Sequence, residues 1–392
     1  MRAAAAIAQR PHGRDALAEA TSQMPLLSSG EVVDLALLFA SSEYVEEFPE
    51  LVTNVRSATG ARFLIGCSGQ GIIGVGREVE GEPALALLAL SLPGAVLSAV
   101  RLSQGDLERS HRPEEWHRLT GVLPDDVNAW FLFADPFTLD AEGLLVAVSE
   151  AYPGTPLVGG LASGDFRLRR THLFLDDEVY DHGAIALALG GAYGVRTIVS
   201  QGCAPIGEPW TITGAQGHLI ETIAQRPAYE VLLETVQALS PEVQQRARGN
   251  LFVGLAMDEY RDEFCRGDFL IRNLVGADPE SGALAVGVLP RVGQTVQFQL
   301  RDPAAADEDL RELLERAKAE LGGEEPVGAL LCSCNGRGVG LFGMPDHDAR
   351  TVAERLGPIP LAGFFCNGEI GPVGSRNFLH GYTASIALVV CK

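Results

Sequence analysis

Four short stretches of this chain hold residues whose types and spacing could do chemistry. Cys67-Ser68-Gly69-Gln70, Gly159-Gly160-Leu161-Ala162-Ser163-Gly164-Asp165 and Gly363-Phe364-Phe365-Cys366-Asn367-Gly368-Glu369 share a core: Cys or Ala, then Ser or Asn, then Gly, then Gln, Asp or Glu. The fourth, Cys334-Asn335-Gly336-Arg337-Gly338, carries the only charge between Val327 and Met344, in an otherwise apolar and Gly-rich run. A guanidinium on a Gly-rich loop can take a carboxylate in two parallel hydrogen bonds. Glu369 could hold an amine in the same site. A small ligand spanning Arg337 and Glu369 would be an amino acid or another small carboxylate. The candidate ligand-binding residues are therefore Cys67, Ser68, Gln70, Ser163, Asp165, Asn335, Arg337, Cys366, Asn367 and Glu369. The competing reading is that Gly and Asn only form turns after strands, and that Arg337 pairs internally with Glu369.

These turns need elements to position them, and the surroundings repeat too. An apolar strand candidate precedes each turn: Leu35 to Ala40, Trp130 to Ala134 and Ala329 to Cys332. A helical stretch follows each strand. Val45, Phe48, Leu51, Val52 and Val55 fall on one helical face. Asp140 is a candidate N-cap before Leu144, Leu145 and Val148, and a third helix runs from about Asp348 to Gly357-Pro358. Each turn leads into another apolar run, Ala84 to Leu90, Ala184 to Leu189 or Ile386 to Val390. The predicted fold is α/β with mixed sheets, built from repeated strand, helix, strand, Gly turn, strand units in two related halves. Pro and Gly punctuate Gly202 to Pro209 densely, so the domains are expected at 1–208 and 209–392. Leu251 to Leu300 reads as four strands, either a degenerate fourth copy or a plain meander, followed by a helix from about Asp307 to Leu321. In sheets with helical crossovers, ligands sit beyond the carboxyl ends of the strands, where these turns lie.

Other motifs lead less far. Gly69-Gln70-Gly71-Ile72-Ile73-Gly74 matches a dinucleotide fingerprint, but Val75 to Pro83 does not open the helix that would hold the phosphates. Cys332 and Cys334 share a strand face and could join Cys366 on zinc, yet no Cys-x-x-Cys exists and His347 and His380 have no partner at ligand spacing. No cofactor or metal is expected. Cys366 with His380 is the candidate pair of nucleophile and base, and Glu369 and Asp165 are candidate carboxylate bases. Gly-x-Ser-x-Gly occurs at none of these turns.

Composition narrows the class. The chain has 392 residues, 46% hydrophobic and 21% charged, enough to bury a real core. A formal net charge of −21 repels a phosphate backbone, so nucleic acid is excluded as an expected partner. Seven scattered cysteines read as reduced thiols of a cytoplasmic protein. The longest apolar stretch, Pro83 to Val100, is broken by Ser91 and Pro93-Gly94, and no membrane span is expected.

Leu361 to Phe365 followed by Cys366-Asn367-Gly368-Glu369-Ile370-Gly371-Pro372, with Tyr382-Thr383 beyond, resembles the C-terminal signature of FIST domains, and so does Cys332 to Gly338. Leu38 to Ser42, Ile65 to Gly69 and Gly159 to Asp165 resemble the matching N-terminal module, and Gln201 to Gly207 its junction. The resemblance covers the chain from about residue 10 to its end. It implies a sensory, signal-transduction module that binds a small molecule. Such modules are often joined to kinase, cyclase or chemoreceptor segments, or to an F-box. No output segment is read in this chain, so the signal is expected to pass to a separate signalling protein. The expectation is a binding protein and not an enzyme. The alternatives are an enzyme using a strand-end Cys or paired carboxylates, and a purely structural interaction protein.

Overall fold

The computed structural model describes residues 2–165, 167–261 and 263–392. They form two compact bodies, one of Met1–Val199 with Leu310–Lys392 and one of Ser200–Asp309.

The first body contains the repeat three times over. Repeat one runs β1 (Ala3–Gln9), β2 (Leu35–Ser41), β3 (Phe63–Gly69), β4 (Gly71–Gly74), β5 (Arg77–Glu80) and β6 (Ala84–Leu90). Repeat two runs β7 (Ala95–Leu102), β8 (Ala129–Ala134), β9 (Leu157–Leu161), β10 (Leu173–Leu175), β11 (Glu178–Tyr180) and β12 (Ala184–Gly191). Repeat three opens with β13 (Tyr193–Gln201) and resumes, after the second body, with β21 (Gly328–Cys334), β22 (Leu361–Cys366), β23 (Glu369–Val373), β24 (Arg376–His380) and β25 (Thr383–Cys391). In each, the second and third strands are parallel and joined by a helix: Phe48–Thr59, Ala141–Ala151 or His347–Leu356. Local sequence sets these helices. Pro49 stands in the first turn of Phe48–Thr59 and Gly60, at φ 64°, ends it. The Asp140 carboxylate caps Ala141–Ala151 by accepting from the Gly143 N–H at 3.0 Å.

What periodicity does not announce is the exchange of hairpins. The hairpin β4–β5 of repeat one pairs with β22, the hairpin β10–β11 of repeat two pairs with β3, and the hairpin β23–β24 of repeat three pairs with β9. Each repeat thus completes another repeat's sheet, and the exchange closes in a ring. The sheets read β1-β6-β2-β3-β10-β11, β7-β12-β8-β9-β23-β24 and β13-β25-β21-β22-β4-β5. Their inner faces share one core, where Phe39, Phe133 and Phe364, one from each sheet, meet at ring-centre distances of 4.9 to 5.9 Å. Such aromatic pairs contribute about 0.5–1.5 kcal/mol each beyond their burial. Helices cover the outer faces, so β2, β6 and β8 are buried on both sides and read as continuous apolar runs.

One glycine fixes the register of each parallel pair. A Cβ on Gly66, Gly159 or Gly363 would lie 1.8, 2.0 or 1.8 Å from the carbonyl oxygen of Leu38, Leu132 or Leu331. These three glycines are equivalent, and counting from them corrects the alignment of the sequence motifs. Ala162 and Cys366 both stand three residues on, whereas Cys67 stands one residue on, so the front copy is offset by two. Gly69 and Gln70 are the true counterparts of Ala162-Ser163 and Cys366-Asn367.

The second body is an antiparallel barrel of β14 (Cys203–Gln216), β15 (Leu219–Ile223), β17 (Leu251–Ala256), β18 (Phe269–Ala277), β19 (Leu284–Val286) and β20 (Thr295–Arg301), with the short β16 (Arg226–Pro227) beside β15. The ring β14-β20-β17-β18-β19-β15 closes through the pairing of β14 with β15, which removes free edges. Leu251 to Leu300 is therefore barrel meander rather than a fourth copy. Ile206, Ile212, Val253, Leu255 and Phe298 fill its interior with Val231 and Leu232 of the helix Ala228–Gln237.

Candidate functional site

The ends of β3, β9 and β22 converge, and Ser163 ties them together. Its hydroxyl donates to the Phe365 carbonyl and accepts the Gln70 N–H at 2.7 Å. The Ser68 hydroxyl donates to the Ser163 carbonyl at 2.8 Å and accepts from the His172 N–H at 2.9 Å. Asn367 donates its Nδ2 to the Ala162 carbonyl at 2.9 Å, and its Oδ1 accepts from Asn335 Nδ2 at 2.9 Å. The two serines are fully buried, and their hydroxyls are satisfied by backbone from other repeats.

Over this junction lies a cleft of about 710 Å³. Of the sequence candidates, Gln70, Asp165 and Asn335 line it. So do Glu43, Glu80 and Arg167, which sequence reasoning missed. Glu43 had a signal, since it stands two residues past the carboxyl end of β2. Glu80 and Arg167 had none, because one rides on an exchanged hairpin and the other on the loop between β9 and β10. Asp165 orders that loop by accepting the N–H groups of Arg167 at 2.8 Å and Leu168 at 3.1 Å. Three carboxylates and one guanidinium thus face a space fit for a small molecule.

The remaining candidates sit beneath. Arg337 is 1% exposed and turns both Nε and Nη2 onto Asp348, at 2.7 and 2.8 Å. Burial alone would raise the Asp348 carboxyl, but Arg337 and His347 hold it well below the usual range. Glu369 is fully buried. Its Oε1 accepts from the Cys366 thiol at 3.1 Å, and its Oε2 accepts from Thr383 N and Oγ1 at 3.0 and 2.7 Å. Desolvation pushes Glu369 up to about 7 against the Thr383 bonds that oppose it. Burial, then the Glu369 carboxylate, pushes the Cys366 thiol far up, and burial does the same to Cys67. Arg337 and Glu369 therefore hold separate internal partners. Nearby, desolvation followed by Asp348 raises Glu78 to about 8. Among the described residues no group of three His, Cys, Asp or Glu is arranged to hold a metal ion. Gly69 to Gly74 ends β3 and enters the β4–β5 hairpin, with no helix at which phosphates could dock.

No described helix is long and apolar enough to cross a membrane. An uncharacterized protein of Mycobacterium tuberculosis is 43% identical to this chain over 394 residues, covering all of both. An uncharacterized protein of Mycobacterium bovis is 40% identical over 393 residues, covering 100% of this chain and 99% of that one. A cyanuric acid hydrolase of A. caulinodans overlays 100% of this chain and 99% of its own at a TM-score of 0.37 and 8% identity, too distant to bear on function. The FIST N domain model matches residues 34–226 and the FIST C domain model residues 228–372. The chain belongs to the FIST family, whose domains are sensory domains of signal transduction.

Proposed function

We propose that this protein senses a small molecule held in the cleft above the three strand-end turns, and that the ligand is an amino acid or a similar small carboxylate bearing an amine. One observation carries the reading: the cleft sets the carboxylates of Glu43, Glu80 and Asp165 against the single guanidinium of Arg167. Among the described residues Arg167 makes no ion pair, which leaves its planar fork free for a carboxylate. It takes the part that the sequence suggested for Arg337, whose fork Asp348 occupies. The acidic groups suit an ammonium. Cys366 and Glu369 face each other in the interior, which favours binding over thiol chemistry. The signal passes to a separate signalling protein.

The test is thermal unfolding of the wild type and Arg167→Ala against L-alanine, L-glutamate, L-lysine, acetate and succinate. A ligand at 100 times its Kd stabilises the folded state by about 2.7 kcal/mol. At least one compound should raise the wild-type Tm by several degrees and leave Arg167→Ala unmoved. If none shifts the wild type, the reading is wrong; an equal shift in the variant removes Arg167 from the site.

A further inference from the structure

The segment from Asn335 to Met344 is held in a conformation that leaves polar groups unpaired. Asn335 Oδ1 and Arg337 Nη1 are both buried without a hydrogen-bond partner among the described residues. Asn335 cannot mend this by turning its amide over. The Ala162 carbonyl only accepts, so Asn367 must show it Nδ2 and present Oδ1 to Asn335, which must answer with Nδ2. Two orphaned polar atoms within three residues are costly, since buried polar groups are nearly always satisfied. The backbone agrees: Arg337, at φ −90° and ψ −141°, lies outside the α and β basins, and Gly338 has φ 59°.

The same segment touches the cleft twice. Asn335 lines it, and so does Glu80, whose Oε1 accepts the Val339 N–H at 2.9 Å. A side chain at position 338 would collide with that carboxylate, its Cβ falling 2.4 Å from Glu80 Oε1. Gly336 and Gly338 flank Arg337 and can absorb a change of backbone. Beyond them the helix Gly338–Phe342 exposes Val339, and Met344 is exposed just after it.

We infer that residues 335–344 are a two-state strap latched to the cleft by Glu80. This rests on the cleft being the ligand site. A ligand ammonium draws the Glu80 carboxylate off the Val339 N–H, the strap turns about Gly336 and Gly338, and the unpaired groups of Asn335 and Arg337 gain partners. Val339 and Met344 then move on the surface.

Amide hydrogen exchange on the full chain tests this, alone and with L-alanine, L-glutamate or L-lysine. Glu80→Gln weakens the latch without a ligand. It should speed exchange of the Val339 amide, which bonds Glu80, and of the Gly343 amide, which closes the helix on the Val339 carbonyl, about 10-fold while those of β2 and β6 stay protected. Unchanged exchange in Glu80→Gln overturns the latch. If an amino acid raises the Tm and changes exchange in 338–343, the strap stands. If it raises the Tm and leaves that exchange unchanged, the strap falls and the sensor reading survives. If no amino acid binds, both fall.

Discussion

The turns after β9 and β22 share one pattern of residue types, small, polar, Gly, acid, and have opposite fates. Ala162-Ser163-Gly164-Asp165 delivers its acid to the exposed edge of the cleft, whereas Cys366-Asn367-Gly368-Glu369 buries its acid completely. The difference lies in how soon the next strand begins. After Gly368 the chain enters β23 at once, and pairing with β9 seats Glu369 opposite Gly160. After Gly164 a loop intervenes, and Leu173 of β10 takes the equivalent seat opposite Cys67. A short motif fixes a turn, while the register of the next strand decides whether its acid meets ligand or core.

The strand beneath both turns should be the least forgiving part. Gly363→Ala would push a methyl against the Leu331 carbonyl and force β21 and β22 apart. We expect a loss of about 5 kcal/mol or more, at the extreme for single substitutions, read from the urea midpoint and the yield of folded protein. A shift below about 1 kcal/mol would show that the glycines do not set the register.

Next in size is Asp348→Asn, which strips Arg337 of its counter-charge in the interior. Breaking such a buried pair costs about 3–5 kcal/mol. Asp165→Asn keeps the acceptor for the loop amides and should stay within about 0.5 kcal/mol of wild type. Denaturant unfolding of the two variants sets buried against exposed acid directly. Equal losses would erase the distinction between them.

Much of this was legible from local pattern. Apolar runs, one-sided helices and Gly turns locate the second, third and last strand of each repeat, the three crossover helices and the meander of Leu251 to Leu300, because each is fixed by neighbours in sequence, whereas the opening strands and the hairpins carry no such signal. The exchange of hairpins was not legible, since β4 finds β22 about 290 residues away and nothing local announces the partner. The same reason hid Glu80 from the site reading. Arg337 stands out as a lone charge, but Asp348 reads in sequence only as the start of a helix, and nothing local pairs the two. The front motif misaligns by two residues because Cys67-Ser68-Gly69 mimics Ala162-Ser163-Gly164 and Cys366-Asn367-Gly368, whereas the true counterpart is Gly69-Gln70-Gly71.

The pH dependence of stability sharpens the comparison of the two acids. Glu369 is raised from 4.5 to about 7 when folded. Below pH 4.5 it is protonated in both states, and its contribution is fully present. As pH rises toward 7 the unfolded chain releases the proton while the folded one retains it, so stability is lost across that window, by about 3 kcal/mol. Glu78, raised to about 8, acts in the same direction up to that pH. Wild-type Tm should therefore fall between pH 5 and 8. Glu369→Gln keeps a neutral group beside Cys366 and Thr383, so its fall should be shallower by roughly half, with the slope from Glu78 remaining. Melting curves at half-unit steps decide it: a Glu369→Gln profile parallel to wild type would mean that Glu369 titrates as an exposed acid, and the contrast between the two turns would fail.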